Sequence, residues 1–110
     1  MAVIAKWIEE LANGEEIESV IVGNHDREFY SESEPFNGVT VNLPISWEEA
    51  KPFLSYEYDN GFGRANCHPV IACTKSRIIT VTEYDGATGP AWFPRNPIPV
   101  KVGFDGVSRW

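Results

Sequence analysis

The sequence PVIACTKSRIITVTEYDGATGPAWFP, residues 69–94, decides the fold. Residues 69–73 and 77–84 are rich in β-branched side chains, and the three polar residues 74–76 separate them. This spacing is typical of a β-hairpin. Residues 85–89 contain Asp-Gly and two further small residues, so we predict a turn there, followed by another strand that begins near the Ala-Trp-Phe sequence.

Alternation within the second predicted strand assigns its two faces. Ile79, Val81 and Glu83 point one way, whereas Ile78, Thr80, Thr82 and Tyr84 point the other way. After this strand pair, Pro94, Pro97 and Pro99 favour an extended path of the kind found at sheet edges. A last strand is predicted within residues 98–104.

The N-terminal half predicts a helix and a strand. Residues 2–13 form an amphipathic helix, because apolar residues recur at helical spacing, namely Val3, Ile4, Trp7, Ile8 and Leu11. Asn13 and Gly14 tolerate a left-handed conformation and end this helix. Residues 17–22 predict a buried strand that ends at Gly23, and residues 27–30 and 39–43 predict short extended pieces.

A second helix is predicted over residues 47–54. Ser46 and Glu49 have capping-box spacing, and Pro52 limits this helix to one or two turns. The order of elements predicts a single α+β domain over residues 1–110. It is expected to hold a mostly antiparallel sheet of four to six strands, with the N-terminal helix and the short second helix on one face.

The chain lacks the sequence marks of a membrane or secreted protein. No window approaches 18 apolar residues, and the N-terminus has no cationic region or small-residue cleavage site. We therefore expect a cytoplasmic protein. Cys67 and Cys73 lie six residues apart in an extended segment, about 20 Å at full extension. A disulfide between them is excluded at that distance, so two free thiols are expected.

Charge is distributed unevenly along the chain, whose net charge is −7. Residues 1–60 hold 13 acids and 3 bases, whereas residues 61–110 hold 3 acids and 6 bases. One interpretation is a solvated acidic surface that maintains solubility. The other is an acidic face that contacts a basic partner through Glu15, Glu16 and Glu18. Phosphates would be repelled by this half, which disfavours direct nucleic-acid binding.

Two segments are candidates for ligand binding. Residues 55–68 form a glycine-bearing loop with aromatic and ionisable side chains, and Arg95 and Asn96 are held between two prolines. The predicted contacts for a nucleotide or another small anion are Tyr58, Phe62, Arg64, Trp92, Arg95 and Asn96. The structural alternatives are a surface loop anchored by its tyrosines, and an ion pair of Arg95 with Asp85 or Glu83.

Catalytic and metal-binding motifs are weak. Adjacent strand residues face opposite ways, so Cys67 and His68 do not easily bind one metal ion together, and no standard metal-ligand spacing is present. We predict no metal and no cofactor. Buried thiols are expected at both cysteines. A small hydrolase would have to be assembled from four residues, Asp59, His68, Glu83 and Asp85.

Five short motifs between residues 46 and 97 are similar to motifs of a known protein family. They are SWEEA at 46–50, YDNGFG at 58–63, CH at 67–68, EYDGAT at 83–88 and PRNP at 94–97. They resemble a family of small proteins found mainly in bacteriophage genomes, for which no activity is established. The resemblance implies action inside an infected bacterium. The Gly89-Pro90 pair departs from the ordinary strand expected after the fourth motif.

Three functional hypotheses follow from these observations. The first is a non-enzymatic binding protein, a phage accessory or counter-defence factor that occupies a host protein through its acidic surface. The second is a domain that binds a nucleotide or small anion, and the third is the small hydrolase. A homodimer through the aromatic C-terminus, including Trp110, is a further possibility.

Overall fold

The computed structural model describes residues 1–24, 41–61 and 67–108. Helix α1 spans Ile4–Ala12, and helix α2 spans Trp47–Ala50 and continues as a 3₁₀ turn over Lys51–Leu54. The strands are β1 Ser19–Val22, β2 Pro44–Ile45, β3 Val70–Cys73, β4 Arg77–Tyr84, β5 Ala87–Pro94, β6 Val102–Gly103 and β7 Gly106–Val107. No helix in these three ranges is long and apolar enough to cross a membrane.

The main sheet has five antiparallel strands in the order β2-β1-β3-β4-β5. One row of paired residues runs across it, formed by Ile45, Val20, Ala72, Ile79 and Trp92. Both helices belong to the same core as this row, so the row marks the inner face. The α+β class with helices on an antiparallel sheet is therefore confirmed.

The opposite, outer face carries the alternate residues of the four longer strands. These are Ser19 and Ile21 in β1, Ile71 and Cys73 in β3, the even-numbered residues of 78–84 in β4 and the odd-numbered residues of 87–93 in β5. The alternation predicted for β4 is confirmed, since Ile79 is buried on the inner face and Ile78 and Thr80 lie on the other.

Helix α1 is two residues shorter at its start than predicted. Ala2 forms a β-bridge with Tyr58, in which each backbone N–H donates to the other residue's carbonyl at 2.8 and 2.9 Å. The helix therefore begins at Ile4, and it buries Ile4 and Ile8 completely. Asn13 ends it as predicted, with φ 54° and its N–H donating to the Glu10 carbonyl.

The second helix accommodates Pro52 by changing from α-helix to 3₁₀ helix. The Ser46 hydroxyl accepts a hydrogen bond from the Glu49 N–H at 3.0 Å, which is one half of the predicted capping box. The α-helix stops at Ala50, and Pro52 lies at the start of the 3₁₀ turn, where its missing N–H breaks no helical hydrogen bond. The Ser55 hydroxyl donates to the Lys51 carbonyl at 2.6 Å and closes the turn.

The β4–β5 turn is tighter than predicted. It contains only Asp85 and Gly86, with φ of 52° and 84°, and the strand resumes at Ala87. The closing pair of such a hairpin is hydrogen-bonded, and bonded and non-bonded pairs then alternate. By that alternation Pro90 and Pro94 occupy positions whose backbone nitrogens point away from β4. The prolines remove no bond from the sheet, and they protect its exposed edge.

The C-terminal region differs from prediction in its strands. The strand expected within 98–104 is only the two residues of β6, and it pairs with β7, which was not predicted, across a turn at Phe104 and Asp105. An extended piece was predicted at 39–43, but Asn42 has a positive φ and the strand β2 begins only at Pro44. The strand predicted at 27–30, and residues 39–40, lie outside the described residues.

Gly106 tests how tightly this C-terminal hairpin is held against β5. Its φ is +102°, and a Cβ there would lie 2.5 Å from the Trp92 carbonyl oxygen. Gly14 is a matched control, with φ +83° and nothing within 4 Å. Gly14→Ala should cost about 1 kcal/mol for the left-handed backbone alone. Gly106→Ala should cost about 2 to 4 kcal/mol, because the clash is added.

Urea unfolding measures both losses, and hydrogen exchange of the Ser108 amide, which donates to the Lys101 carbonyl at 2.7 Å, reports on the hairpin. Faster exchange is expected only in Gly106→Ala. Equal losses with unchanged Ser108 protection would contradict close contact between the hairpin and β5.

Candidate functional site

An acidic groove lies between the end of α1 and the start of α2. Its volume is about 480 Å³, and its walls include Ile17, Trp47 and five glutamates, namely Glu9, Glu15, Glu16, Glu18 and Glu48. Ile17 and Trp47 are partly buried against the core. The groove therefore combines an apolar floor with several carboxylates, and the three predicted partner-binding glutamates all line it.

The Glu15 carboxylate is hydrogen-bonded within the protein. Its carboxylate accepts hydrogen bonds from the Thr74 hydroxyl at 2.6 Å and from the Ser76 hydroxyl at 2.8 Å and N–H at 3.2 Å. The Thr74 bond, followed by the Ser76 hydroxyl bond, lowers the pKa of Glu15 below its ordinary value. This carboxylate therefore fastens the connection after α1 to the β3–β4 turn.

Glu18 and Glu9 are each paired with a cation. Arg95 lies 3.0 Å from Glu18 and also donates to the Thr74 carbonyl at 2.8 Å. Lys51 lies 2.9 Å from Glu9. The ion pair of Arg95 with Asp85 or Glu83, considered from the sequence, is thus wrong. The end of β5 lies at the β3–β4 turn, where the Arg95 side chain reaches Glu18 just before β1, whereas Glu83 and Asp85 lie at the opposite end of the strand pair.

Glu16 and Glu48 retain uncompensated charge. Both are exposed, and within the described ranges neither makes a hydrogen bond or ion pair through its carboxylate. They line the same groove as the partly buried indole of Trp47. An ammonium or guanidinium group can lie between such carboxylates while its aliphatic stem covers the indole. The groove is therefore suited chemically to a lysine or arginine side chain.

A second polar cluster lies inside the core, around Tyr56, Tyr58, His68 and Thr88. The backbone N–H of His68 donates to the Tyr56 hydroxyl at 3.0 Å, and the same hydroxyl lies 2.8 Å from the ring Nδ1 of His68. The Tyr58 and Thr88 hydroxyls are 2.9 Å apart. His68 is only 1% exposed. Its hydrogen bonds with Tyr56 anchor the chain between the 3₁₀ turn and β3.

Cys67 belongs to the same buried cluster. Burial raises the pKa of its thiol, and contacts with the Tyr58 and Thr88 hydroxyls only partly oppose that effect. Burial also raises the pKa of Tyr58. Both groups therefore remain protonated at neutral pH. Cys67 and Cys73 are free, as expected, and Cys67 is buried whereas Cys73 is only partly so.

The carboxylates proposed for a hydrolase stabilise or occupy turns. Asp59 accepts a hydrogen bond from the Gly61 N–H at 2.9 Å, and Glu83 accepts one from the Gly86 N–H at 2.9 Å. Asp85 occupies the left-handed position of the β4–β5 turn. Each of the three acids thus has a role in the structure of its own turn. Their assignment to catalysis stays a prediction.

The predicted ligand-binding residues are distributed over both ends of β5. Tyr58 is buried beside Thr88, whereas Arg95 lies seven residues further on, about 23 Å away along a strand. The Trp92 ring is covered by the Arg77 guanidinium at 3.8 Å, and Asn96 is exposed. Phe62 and Arg64 lie outside the described residues. The described members of this set do not form one site.

Sequence reasoning missed Trp47, Glu48 and Ile17 as groove residues. Each was assigned only to a local element, and nothing in the linear pattern shows that α2 lies beside the end of α1. The capping box is the sequence feature that could have pointed to Glu48, because it places this residue in the exposed first turn of α2.

Within the part of the chain that the structure describes, no group of three His, Cys, Asp or Glu side chains is placed to hold a metal ion. No protein-family model, curated protein or solved structure matches this chain.

Glu15→Gln tests the internal role of that carboxylate. The folded-state pKa of Glu15 is lowered from 4.5. Its carboxylate therefore contributes fully to the free energy of unfolding above pH 4.5, and this contribution disappears as the pH falls through the folded-state pKa. Thermal unfolding should show wild type more stable than Glu15→Gln at neutral pH, with the difference vanishing in acid. Glu16→Gln is the control and should show no such difference; a pH-independent gap for Glu15→Gln would contradict this role.

Thiol labelling tests the burial of Cys67. With iodoacetamide at about pH 8, Cys73→Ser, which retains Cys67, should react at least about tenfold more slowly than Cys67→Ser, which retains Cys73. The buried thiol is both inaccessible and protonated. In urea the two rates should converge. Equal rates in the native proteins would show that Cys67 is accessible.

Proposed function

We propose that this protein is a non-enzymatic binding module whose acidic groove holds a basic, partly apolar segment of another protein. The observation that carries the proposal is that Glu16, Glu48 and Trp47 line one groove. Two exposed carboxylates without partners among the described residues line the same groove as a partly buried aromatic ring. Carboxylates select a cationic side chain, and the ring favours one with an aliphatic stem or a planar head group.

The charge of the whole chain supports the same partner chemistry. A net charge of −7 attracts basic surfaces and speeds their encounter, while it repels nucleic acid and other acidic proteins. Glu15 adds to the negative potential of the groove, because its partners there are neutral donors, whereas Lys51 and Arg95 neutralise Glu9 and Glu18. Glu16 and Glu48 are then the direct contacts for the cationic side chain.

The biological setting follows from the motifs within residues 46–97. Their resemblance to small bacteriophage proteins makes the partner a protein of an infected bacterium, met in the host cytoplasm. Binding alone suffices for an accessory or counter-defence factor that blocks a host protein surface. Burial of Cys67 and His68 supports a role without catalysis.

The direct experiment uses a defined probe, a fluorescent peptide of alternating arginine and leucine, with a glutamate-for-arginine peptide as its counterpart. Wild type should bind the basic peptide only, and binding should weaken as salt is raised. Glu16→Lys with Glu48→Lys should weaken it at least about tenfold, since attraction becomes repulsion. In NMR spectra of wild type, the peptide should shift the Trp47 indole N–H resonance.

The matched control carries the same change in charge elsewhere. Glu10→Lys with Glu57→Lys alters two exposed glutamates that do not line the groove, and should bind nearly as well as wild type. A host protein captured from bacterial lysate by wild type and by the control, but not by the groove variant, would support the biological setting. Equal weakening in both double variants, or an unmoved Trp47 resonance, would contradict the proposal.

A further inference from the structure

The pair Asn-Gly occurs three times in this chain, at residues 13–14, 37–38 and 60–61. The pair at 37–38 lies outside the described residues. Asparagine is a thermolabile residue, and a glycine after it leaves the peptide nitrogen unscreened by any Cβ. That nitrogen can attack the asparagine side chain and expel its amide as ammonia. The reactivity of each described pair therefore depends on what holds its two reacting groups, the side-chain amide and the glycine N–H.

The pair Asn60-Gly61 is held at both reacting groups. The Asn60 side-chain NH₂ donates to the Thr88 carbonyl at 3.3 Å, and the Thr88 N–H donates to the Asn60 carbonyl at 3.1 Å. The Gly61 N–H donates to the Asp59 carboxylate at 2.9 Å. Attack by the Gly61 nitrogen on the Asn60 side chain requires these hydrogen bonds to break, so the fold protects this pair.

The pair Asn13-Gly14 is open to reaction. Asn13 is exposed, and neither its side-chain amide nor the Gly14 N–H is hydrogen-bonded to any residue that the structure describes. A Cβ built on Gly14 would have nothing within 4 Å, so no neighbouring atom hinders approach there. The hydrogen bond that spans the pair runs from the Glu15 N–H to the Ala12 carbonyl at 3.0 Å. It is the restraint that the reaction has to overcome.

We propose that Asn13 is a site of spontaneous deamidation, with water as the co-reactant. The Gly14 nitrogen forms a bond to Asn13 Cγ and gives its proton to water. The Cγ–Nδ2 bond breaks, and Nδ2 leaves as ammonia with a proton taken from water. Water then opens the resulting cyclic imide. Opening at Cγ gives aspartate, and opening at the Asn13 main-chain carbonyl carbon gives isoaspartate.

The turn after α1 has to open before this reaction. Asn13 has φ 54° and ψ 43°, which points the Gly14 nitrogen away from the Asn13 side chain. Rotation about the Asn13 Cα–C bond brings the two groups together and breaks the hydrogen bond between Glu15 and Ala12. Helix ends open locally at a small cost in free energy. Asn60 must lose a larger set of hydrogen bonds, so Asn13 reacts first.

Conversion of Asn13 alters the end of α1. The helix dipole disfavours a negative charge at the C-terminus of a helix. Isoaspartate also routes the main chain through Cβ and Cγ, which lengthens the connection to Glu15 and loosens the hydrogen bonds of Glu15 with Thr74 and Ser76. The modified protein therefore unfolds more easily than the fresh protein. Gly14 lines the acidic groove, but the modification does not depend on whether that groove binds a partner.

Peptide mapping by tandem mass spectrometry tests this proposal on wild type stored in mildly alkaline buffer. Asn13 should convert to a mixture of aspartate and isoaspartate at least about tenfold faster than Asn60. In urea the two rates should converge, because both pairs then react as unfolded chain. Equal rates in the native protein would overturn the proposal, as would an Asn13 that stays intact while the unfolded chain reacts.

Two variants separate the causes. Asp59→Ala removes the acceptor of the Gly61 N–H, so Asn60 should convert faster than in wild type while Asn13 keeps its rate. Asn13→Gly suits the left-handed turn and has no side-chain amide. On storage the urea midpoint of wild type should fall, whereas that of Asn13→Gly should not. An equal fall in both proteins, or an unchanged Asn60 rate in Asp59→Ala that circular dichroism shows to be folded, would overturn the proposal.

Discussion

The packing of helix α1 against the inner face of the sheet is the contact on which the rest of the structure depends. Ile4 and Ile8 are completely buried with Val20, Ala72 and Ile79 in one core. Because both helices cover the same face, the chain must turn sharply after Asn13 to reach β1, and this turn forms one wall of the acidic groove. The same one-sided burial leaves the other face of the sheet uncovered by helices.

Hydrogen bonds from two distant segments meet at the β3–β4 turn and hold this arrangement. Glu15 binds it from the connection after α1, and Arg95 binds it from the end of β5. Arg77 joins α1 to the sheet, since it donates to the Leu11 carbonyl at 2.8 Å and covers Trp92. Much of the charge that looks like free surface potential in the sequence is therefore used for internal ties, and two groove carboxylates remain available.

The buried cluster around His68 shows why residue type alone does not identify a catalytic site. Cysteine, histidine and two tyrosines meet there, but they are hydrogen-bonded to one another and to Thr88, and burial keeps the thiol protonated. A catalytic base or nucleophile has to reach substrate and change its protonation state near neutral pH. The hydrogen bonds of the cluster fix the chain segments that flank it.

The sequence by itself determined the elements that short-range chemistry controls. Helical spacing predicted α1, alternation of β-branched residues predicted β4, and Asn13 and Asp85-Gly86 marked turns, because each depends on neighbours within a few residues. Tertiary structure alone decided that Arg95 pairs with Glu18, that α2 brings Glu48 to the groove, and that Pro90 lies within an edge strand. These contacts join residues 30 or more positions apart or depend on strand order, and the free energy of burying the core sets that order rather than any local preference.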